Sequence, residues 1–395
     1  MTMKWNVFCL ALCLGFGGAV GADTVGWRHD GTGTFPDATP PTSWSKDSGY
    51  VWKTAMPGKS NASPVLSGDR IFTCSEPDIL LCLDRSSGEI LWQHDNPAID
   101  LVAEDERATY EMPAAHDVNG RSSATPVTDG SHVYALFGTG VAVCYDVEGN
   151  MVWQKLIEAP NHPEAWGHSA SPVLADGKLF VHIVNLVALD AATGEEAWRT
   201  AAPVKWGSSV ATSVGGETVL ITPAGYIIRA SDGKILQSGL ASLTFCAPVV
   251  HDGTAYFIQN GGKAIDLPAT ADGDYAAKWT VAIRDDRYYA SPVVHEGLIY
   301  TMNRNNHFSV IDAATGEVVY ETALPLGAGD AYPSITMAGG HLYASNSNGK
   351  TVVFKPGREF EEVATCDLER FQCSPVFAGK RMYVRGWEHM YCIGE

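Results

Sequence analysis

A short motif recurs along this chain, and no other property of the sequence restricts its fold so tightly. Ser63-Pro64-Val65 returns as Thr125-Pro126-Val127, Ser171-Pro172-Val173, Ala247-Pro248-Val249, Ser291-Pro292-Val293 and Ser374-Pro375-Val376. Pro333-Ser334 is a weaker copy, and Val210-Ala211 fills the slot without proline, which makes eight copies. Successive prolines stand 62, 46, 76, 44, 41 and 42 residues apart, the 76 spanning two units. A period near 40 residues belongs to propeller blades or helical arrays.

The interior of each unit decides between those two. Pairs such as Asp129-Gly130, Asp176-Gly177 and Asp252-Gly253 follow the motif and supply the positive φ angles of tight hairpin turns. Next come β-forming runs such as Ile71-Phe72, Val133-Tyr134 and Leu179-Phe180, with a period of two. A third run ends in Leu83-Asp84, Tyr145-Asp146, Leu189-Asp190 or Ile311-Asp312, before a turn carrying Gly88, Gly149, Gly194 or Gly316. Four residues past that glycine stands Trp92, Trp153, Trp198 or Tyr320, a large flat side chain suited to packing against the neighbouring unit. Each unit therefore reads as a four-stranded antiparallel meander.

Eight open sheets would expose many edges, so closure is expected. The ends of the chain supply it: the last unit runs out after three strands, while Tyr50-Val51-Trp52-Lys53 is a fourth-type strand lacking partners nearby. The expected fold is all-β, a single eight-bladed β-propeller over residues 48–395, closed by the N-terminal strand completing the last blade. An open solenoid is the rival and would leave that strand unused. Residues 23–47, with Pro36, Pro40 and Pro41, read as an extended lead-in rather than a domain.

Residues 1–22 carry Lys4, an apolar run over 7–20 and the small pair Gly21-Ala22, the pattern of an export signal cleaved after Ala22. The run is too short to span a bilayer, and Leu12 ahead of Cys13 argues against a lipid anchor. A periplasmic or extracellular monomer is expected. The formal charge of −18, with no basic run, makes nucleic acid an unsuitable partner. Seven cysteines remain beyond the signal. Cys82, Cys144 and Cys392 share a slot filled elsewhere by Ala188 or Val310 and read as small core residues, while Cys74 and Cys82 could face one another across a hairpin.

Loops from the outer strand of one blade to the inner strand of the next all reach one mouth of the channel. The residues just ahead of each motif therefore converge, and Asn61, Arg121, Trp166, His168, Trp206, Arg287, Tyr288, Asp330 and Tyr332 are the candidate ligand-binding set. Aromatics and arginines there would suit a planar, sugar-like or anionic ligand; alternatively, they plug a solvated channel. The first interval is longer by about 20 residues. Residues 103–110 within it have helix-forming composition, and His116-Asp117 could place an acid/base pair over the mouth. His162, Glu164 and His168 lack the helical spacing of a zinc pair, and Asp272 and Asp274 lack the other oxygens of a calcium loop, so no metal site is expected. No nucleophile elbow surrounds the mouth serines.

The stretches Leu83-Asp84-Arg85-Ser86-Ser87-Gly88-Glu89-Ile90-Leu91-Trp92 and Leu189-Asp190-Ala191-Ala192-Thr193-Gly194-Glu195-Glu196-Ala197-Trp198 resemble the pyrroloquinoline-quinone-like repeat. That family includes quinoprotein dehydrogenases and the BamB-type assembly scaffold. The resemblance implies the propeller, but its tryptophan motif docks blades and reports no chemistry. Quinoprotein dehydrogenases carry two adjacent cysteines over the cofactor, and no two cysteines here are adjacent; a Cys-x-x-Cys-His haem motif is also missing. The leading expectation is an exported, non-catalytic propeller without a cofactor, binding an envelope protein or a saccharide-like small ligand. The alternative is a quinone-dependent alcohol or sugar oxidoreductase, with quinone and calcium held in an atypical site.

Overall fold

The computed structural model describes residues 23, 25–160 and 165–394. The proposed export segment and the pair His162 and Glu164 lie outside the described residues. Eight sheets form, each an antiparallel meander from an inner to an outer strand. Blade 3 is typical, with strands Val173–Ala175, Lys178–His182, Leu186–Asp190 and Glu196–Thr200. Blades 1, 2 and 4 to 7 have inner strands that begin at Val65, Val127, Val210, Val249, Val293 and Thr336. Blade 8 has only three strands from the C-terminal end, Val376–Ala378, Arg381–Arg385 and His389–Gly394. Its fourth is Tyr50–Ala55, paired antiparallel with Lys53 opposite Tyr391 and Trp52 opposite Cys392. The ring is closed by chain ends, as the sequence required.

The blades are welded by one repeated contact. Each docking tryptophan sits opposite a small buried residue on the third strand: Cys82 with Trp92, Cys144 with Trp153, Ala188 with Trp198, Ala264 with Trp279, Cys392 with Trp52. Its indole N–H donates to a carbonyl in the outer turn of the next blade: Trp52 to Arg85 (3.2 Å), Trp92 to Val147 (3.1 Å), Trp153 to Ala191 (2.9 Å), Trp198 to Ala230 (3.0 Å) and Trp279 to Ala313 (3.0 Å). The turn glycine of that next blade lies under the ring. A Cβ on Gly88, at φ +75°, would stand 2.5 Å from Trp52, and one on Gly194 would stand 2.6 Å from Trp153. Glycine serves the turn twice, in its backbone angle and in the space it leaves.

Three seams depart from this pattern, and in blade 6 Tyr320 stands opposite Val310 in the tryptophan position. Gln237 takes the tryptophan position of blade 4, and Arg229 reaches Asp272 (2.7 Å) in the outer turn of blade 5 instead. In blade 7 the position falls to Ala364. There Trp44, from the lead-in, stacks on Tyr343 at 6.3 Å and is nearly buried against Gly49.

Several local expectations change. The weak seventh motif is shifted by one residue: Thr336 is in the register of Val293, so Ser334 aligns with Ser291 and Ile335 takes the proline slot. Blade 7 keeps its four-stranded antiparallel meander, and Thr34–Phe35 adds a fifth, parallel strand at its inner edge. Residues 103–110 hold only the short 3-10 turn Arg107–Thr109, since no apolar face there has a partner to bury it. Cys74 pairs with Leu80 and Cys82 with Phe72, so the two thiols are not opposite one another. All seven cysteines among the described residues are free and buried. Among these residues no helix is long and apolar enough to cross a membrane.

Candidate functional site

The residue ahead of each motif proline is held extended, because the proline ring disfavours the helical region for its neighbour. Seven of the eight positions carry a hydroxyl, and each hydroxyl accepts the backbone N–H of the position one blade earlier. Ser63 donates to Thr125 Oγ1 (3.0 Å), Thr125 to Ser171 Oγ (3.0 Å), and Ser171 to Ser208 Oγ (2.9 Å). The series resumes with Ala247 donating to Ser291 Oγ (2.9 Å), Ser291 to Ser334 (3.0 Å), Ser334 to Ser374 (3.2 Å) and Ser374 to Ser63 (3.0 Å). The circle breaks at Ala247, which has no hydroxyl to receive Ser208. All seven hydroxyls line one cavity of about 370 Å³ at the head of the channel.

The lead-in closes this cavity from below. Val25 accepts the Thr128 N–H (2.9 Å) at the inner edge of blade 2, and Trp27 forms the floor. Arg28 is fully buried; its guanidinium donates across the channel to the carbonyls of Pro292 (2.7 Å) and Ile335 (3.1 Å). Burial pulls its pKa down to about 9, against the pull of Asp30. A Cβ on Gly33 would stand 2.2 Å from that guanidinium, so the loop must carry glycine there.

Above the hydroxyl circle, the wall divides into two arcs. One is aromatic: Trp206 stacks on Phe245 (5.4 Å), Phe245 meets Tyr289 edge-on (4.9 Å), and Tyr289 lies parallel to Tyr332 (4.4 Å). Trp166 extends this arc and bears His116 on one face at 4.2 Å. The other arc is amide and hydroxyl: Asn61, Asn119, Ser123 and Gln372. Gln372 is 9% exposed, borders the cavity, and has no hydrogen-bond partner among the described residues. Arg287, exposed at the rim, donates to the Tyr289 hydroxyl (3.5 Å). No carboxylate lines the cavity among the described residues.

Of the nine candidate residues, Asn61, Trp166, Trp206, Arg287 and Tyr332 border the cavity. The other four do not. Tyr288 faces the core, its hydroxyl donating to Arg284 O (2.8 Å), because alternate residues of an extended segment point opposite ways. His168 is buried on Ala170 O (2.9 Å). Arg121 binds the Pro113 carbonyl (3.1 and 3.2 Å), and the Asp330 carbonyl accepts the Ser347 N–H (2.9 Å). The hydroxyl circle and the Trp27 floor escaped sequence reasoning. A usable signal was present in the Ser or Thr that opens most copies of the motif.

The long first connection leans over the mouth. Asn61 Nδ2 donates to Val118 O (2.7 Å), Lys59 Nζ to Asp117 O (2.5 Å), and Asn119 Nδ2 to Trp166 O (2.9 Å). His116 and Asp117 do not pair: His116 Nδ1 accepts the Val118 N–H (3.1 Å) and its ring is spent on Trp166. Half-buried carboxylates fasten other loops. Glu76 accepts from Arg121 N, Ser122 N and Ser122 Oγ (2.7, 2.8 and 2.7 Å). Glu369 accepts from Glu388 N, His389 N, His389 Nδ1 (each 2.8 Å) and Tyr391 OH (2.9 Å). Burial alone would raise the Glu369 pKa, but these donors hold it below the usual carboxylate range. Glu369, Glu388 and His389 are near enough to share an ion, yet both Glu369 oxygens are already engaged. Burial pushes the thiols of Cys74 and Cys373 up to about 12, which leaves them as thiols at neutral pH.

The family model described as outer membrane protein assembly factor BamB matches residues 42–185 and 143–275, more than half of the chain. The chain belongs to this BamB-like family of PQQ-like repeats. It is 25% identical over 294 residues to the outer membrane protein assembly factor BamB of Moranella endobia, covering 67% of this chain and 68% of that one. A polyvinylalcohol dehydrogenase from Pseudomonas sp is 26% identical over 172 residues, covering 38% of this chain and 24% of the dehydrogenase. The crystal structure of BamB from Moraxella catarrhalis superposes with a TM-score of 0.65 at 11% identity, over 88% of this chain and 97% of that one. At that identity the likeness speaks for the fold alone. The BamB-like repeat thus accounts for the welded blades.

Proposed function

We propose that this propeller is a non-catalytic binding module that works through its channel mouth. One observation carries the reading: a floored, open cavity whose wall offers aromatic faces and unspent hydroxyls, with no acid/base pair directed into it. Small-molecule sites commonly enclose about 300 to 1,000 Å³ and place a few polar groups among apolar ones. The likeness to outer membrane assembly factors supports a role in holding a partner in the cell envelope. Photo-crosslinking in the native compartment tests this. A crosslinker placed at Tyr332 should trap a partner or ligand, and one at the exposed outer-strand residue Val318 should not. Equal trapping from both positions, or none at all, would defeat the reading.

The likeness to a polyvinylalcohol dehydrogenase favours a second reading, quinone-dependent oxidation. The donors on the wall suit it poorly, because a calcium ion takes six to eight oxygens that include carboxylates, and the cavity wall has none among the described residues. Titration with the quinone and calcium, followed by absorption and dye-linked alcohol oxidation, separates the two; stoichiometric uptake with turnover would reverse their order.

A further inference from the structure

We infer that the mouth cavity is a binding site for a neutral pyranose, either a free sugar or the terminal unit of a glycan; this rests on the mouth being the binding surface. The wall chemistry excludes the other ligand classes in turn. An anion would be met by a single guanidinium, Arg287, which is exposed at the rim of a chain bearing net −18. A cation would find no carboxylate on the wall among the described residues. A wholly apolar ligand would leave the protons of seven hydroxyls and the Gln372 amide without acceptors or donors, and each such group costs free energy when desolvated unpaired.

What fits is a molecule with one apolar face and a fringe of groups that both donate and accept. Each hydroxyl of the circle has a lone pair committed to a neighbouring backbone N–H, which fixes its position and leaves its own proton to donate. Gln372, about nine-tenths buried and unpartnered, offers both an N–H₂ and a carbonyl to the same space. Opposite stands the arc of Trp206, Phe245, Tyr289 and Tyr332. A pyranose has axial C–H groups on its faces and hydroxyls around its edge, so its face can lie on the aromatics while its edge reaches the hydroxyl circle. Water displaced from these polar groups is replaced by equivalent hydrogen bonds.

Calorimetry and tryptophan fluorescence test this on the full chain, with methyl glucopyranoside, cellobiose, maltose and N,N′-diacetylchitobiose as probes. Inorganic phosphate and citrate serve as charged comparisons, and insoluble polysaccharide in a pull-down distinguishes a terminal glycan unit from free sugar. At least one neutral probe should bind; Trp206→Ala should weaken it about tenfold or more, and Trp206→Phe should largely restore it. Gln372→Leu, close in volume and without the amide, should weaken binding without lowering thermal stability. Absence of binding by every neutral probe up to about 10 mM, or preference for phosphate or citrate, would overturn the inference. Crosslinking from Tyr332 reads occupancy whatever the ligand. Crosslinks with a silent sugar panel would therefore defeat the saccharide alone, while silence in both would defeat the mouth as well.

Discussion

The closing seam permits a quantitative test of how the ring is held. Trp52 comes from the N-terminal strand of blade 8 and lies on Gly88 of blade 1; it is 8% exposed and donates to Arg85 O at 3.2 Å. Removing a buried aromatic side chain costs about 3 to 5 kcal/mol, and its hydrogen bond accounts for about 1 of these. Net stability of a folded chain is about 5 to 15 kcal/mol, so Trp52→Ala should remove a large part of it. Gly88→Ala attacks the same contact from the other side. Its backbone sits at φ +75°, a strain of about 1 to 2 kcal/mol for an L residue. Its new methyl would stand 2.5 Å from the indole, an overpacking of about 1 to 3 kcal/mol. With alanine at position 52 the methyl has room, so only the backbone strain remains. The double variant should then be less destabilised than the sum of the single changes by about 1 to 3 kcal/mol. Urea denaturation followed by far-ultraviolet circular dichroism reads all four proteins. Additivity within about 0.5 kcal/mol would refute the idea that this glycine exists to seat that ring.

Two further outcomes concern the hydroxyl circle and the loop held by Glu369. Ala247→Ser places a hydroxyl where the circle is broken and gives the Ser208 N–H an acceptor, so the midpoint in urea should rise by an amount worth about 0.5 to 1.5 kcal/mol; a fall would show that the site has no room for the oxygen. Glu369 has a lowered pKa in the folded chain, so its contribution is complete above the unfolded carboxylate range near pH 4.3 and is lost as pH falls through the lowered value. Glu369→Gln should cost about 1.5 to 3 kcal/mol at pH 7, with the difference from the parent protein shrinking in acid; a difference independent of pH would contradict a charged acceptor.

Repetition made the architecture legible. A motif near every 40 residues, a glycine four residues before a tryptophan, and an orphan strand at the front of the chain determined blade number, blade content and closure, because each follows from local geometry and hydrophobic pattern. The sequence also placed the converging loops, and through them Trp166, Trp206, Arg287 and Tyr332 at the cavity. It could not say which side chain of each loop turns inward. Tyr288 and Tyr289 are adjacent and chemically alike, yet one is core and the other is wall. Nor could it reveal contacts between residues far apart in the chain. The Ser374 N–H meets the Ser63 hydroxyl only because the ring closes, and Arg28 meets Pro292 and Ile335 only because the lead-in enters the channel. Local pattern repeats along the chain and can be read there; the floor and the hydroxyl circle arise from distances across the ring, which tertiary packing alone decides.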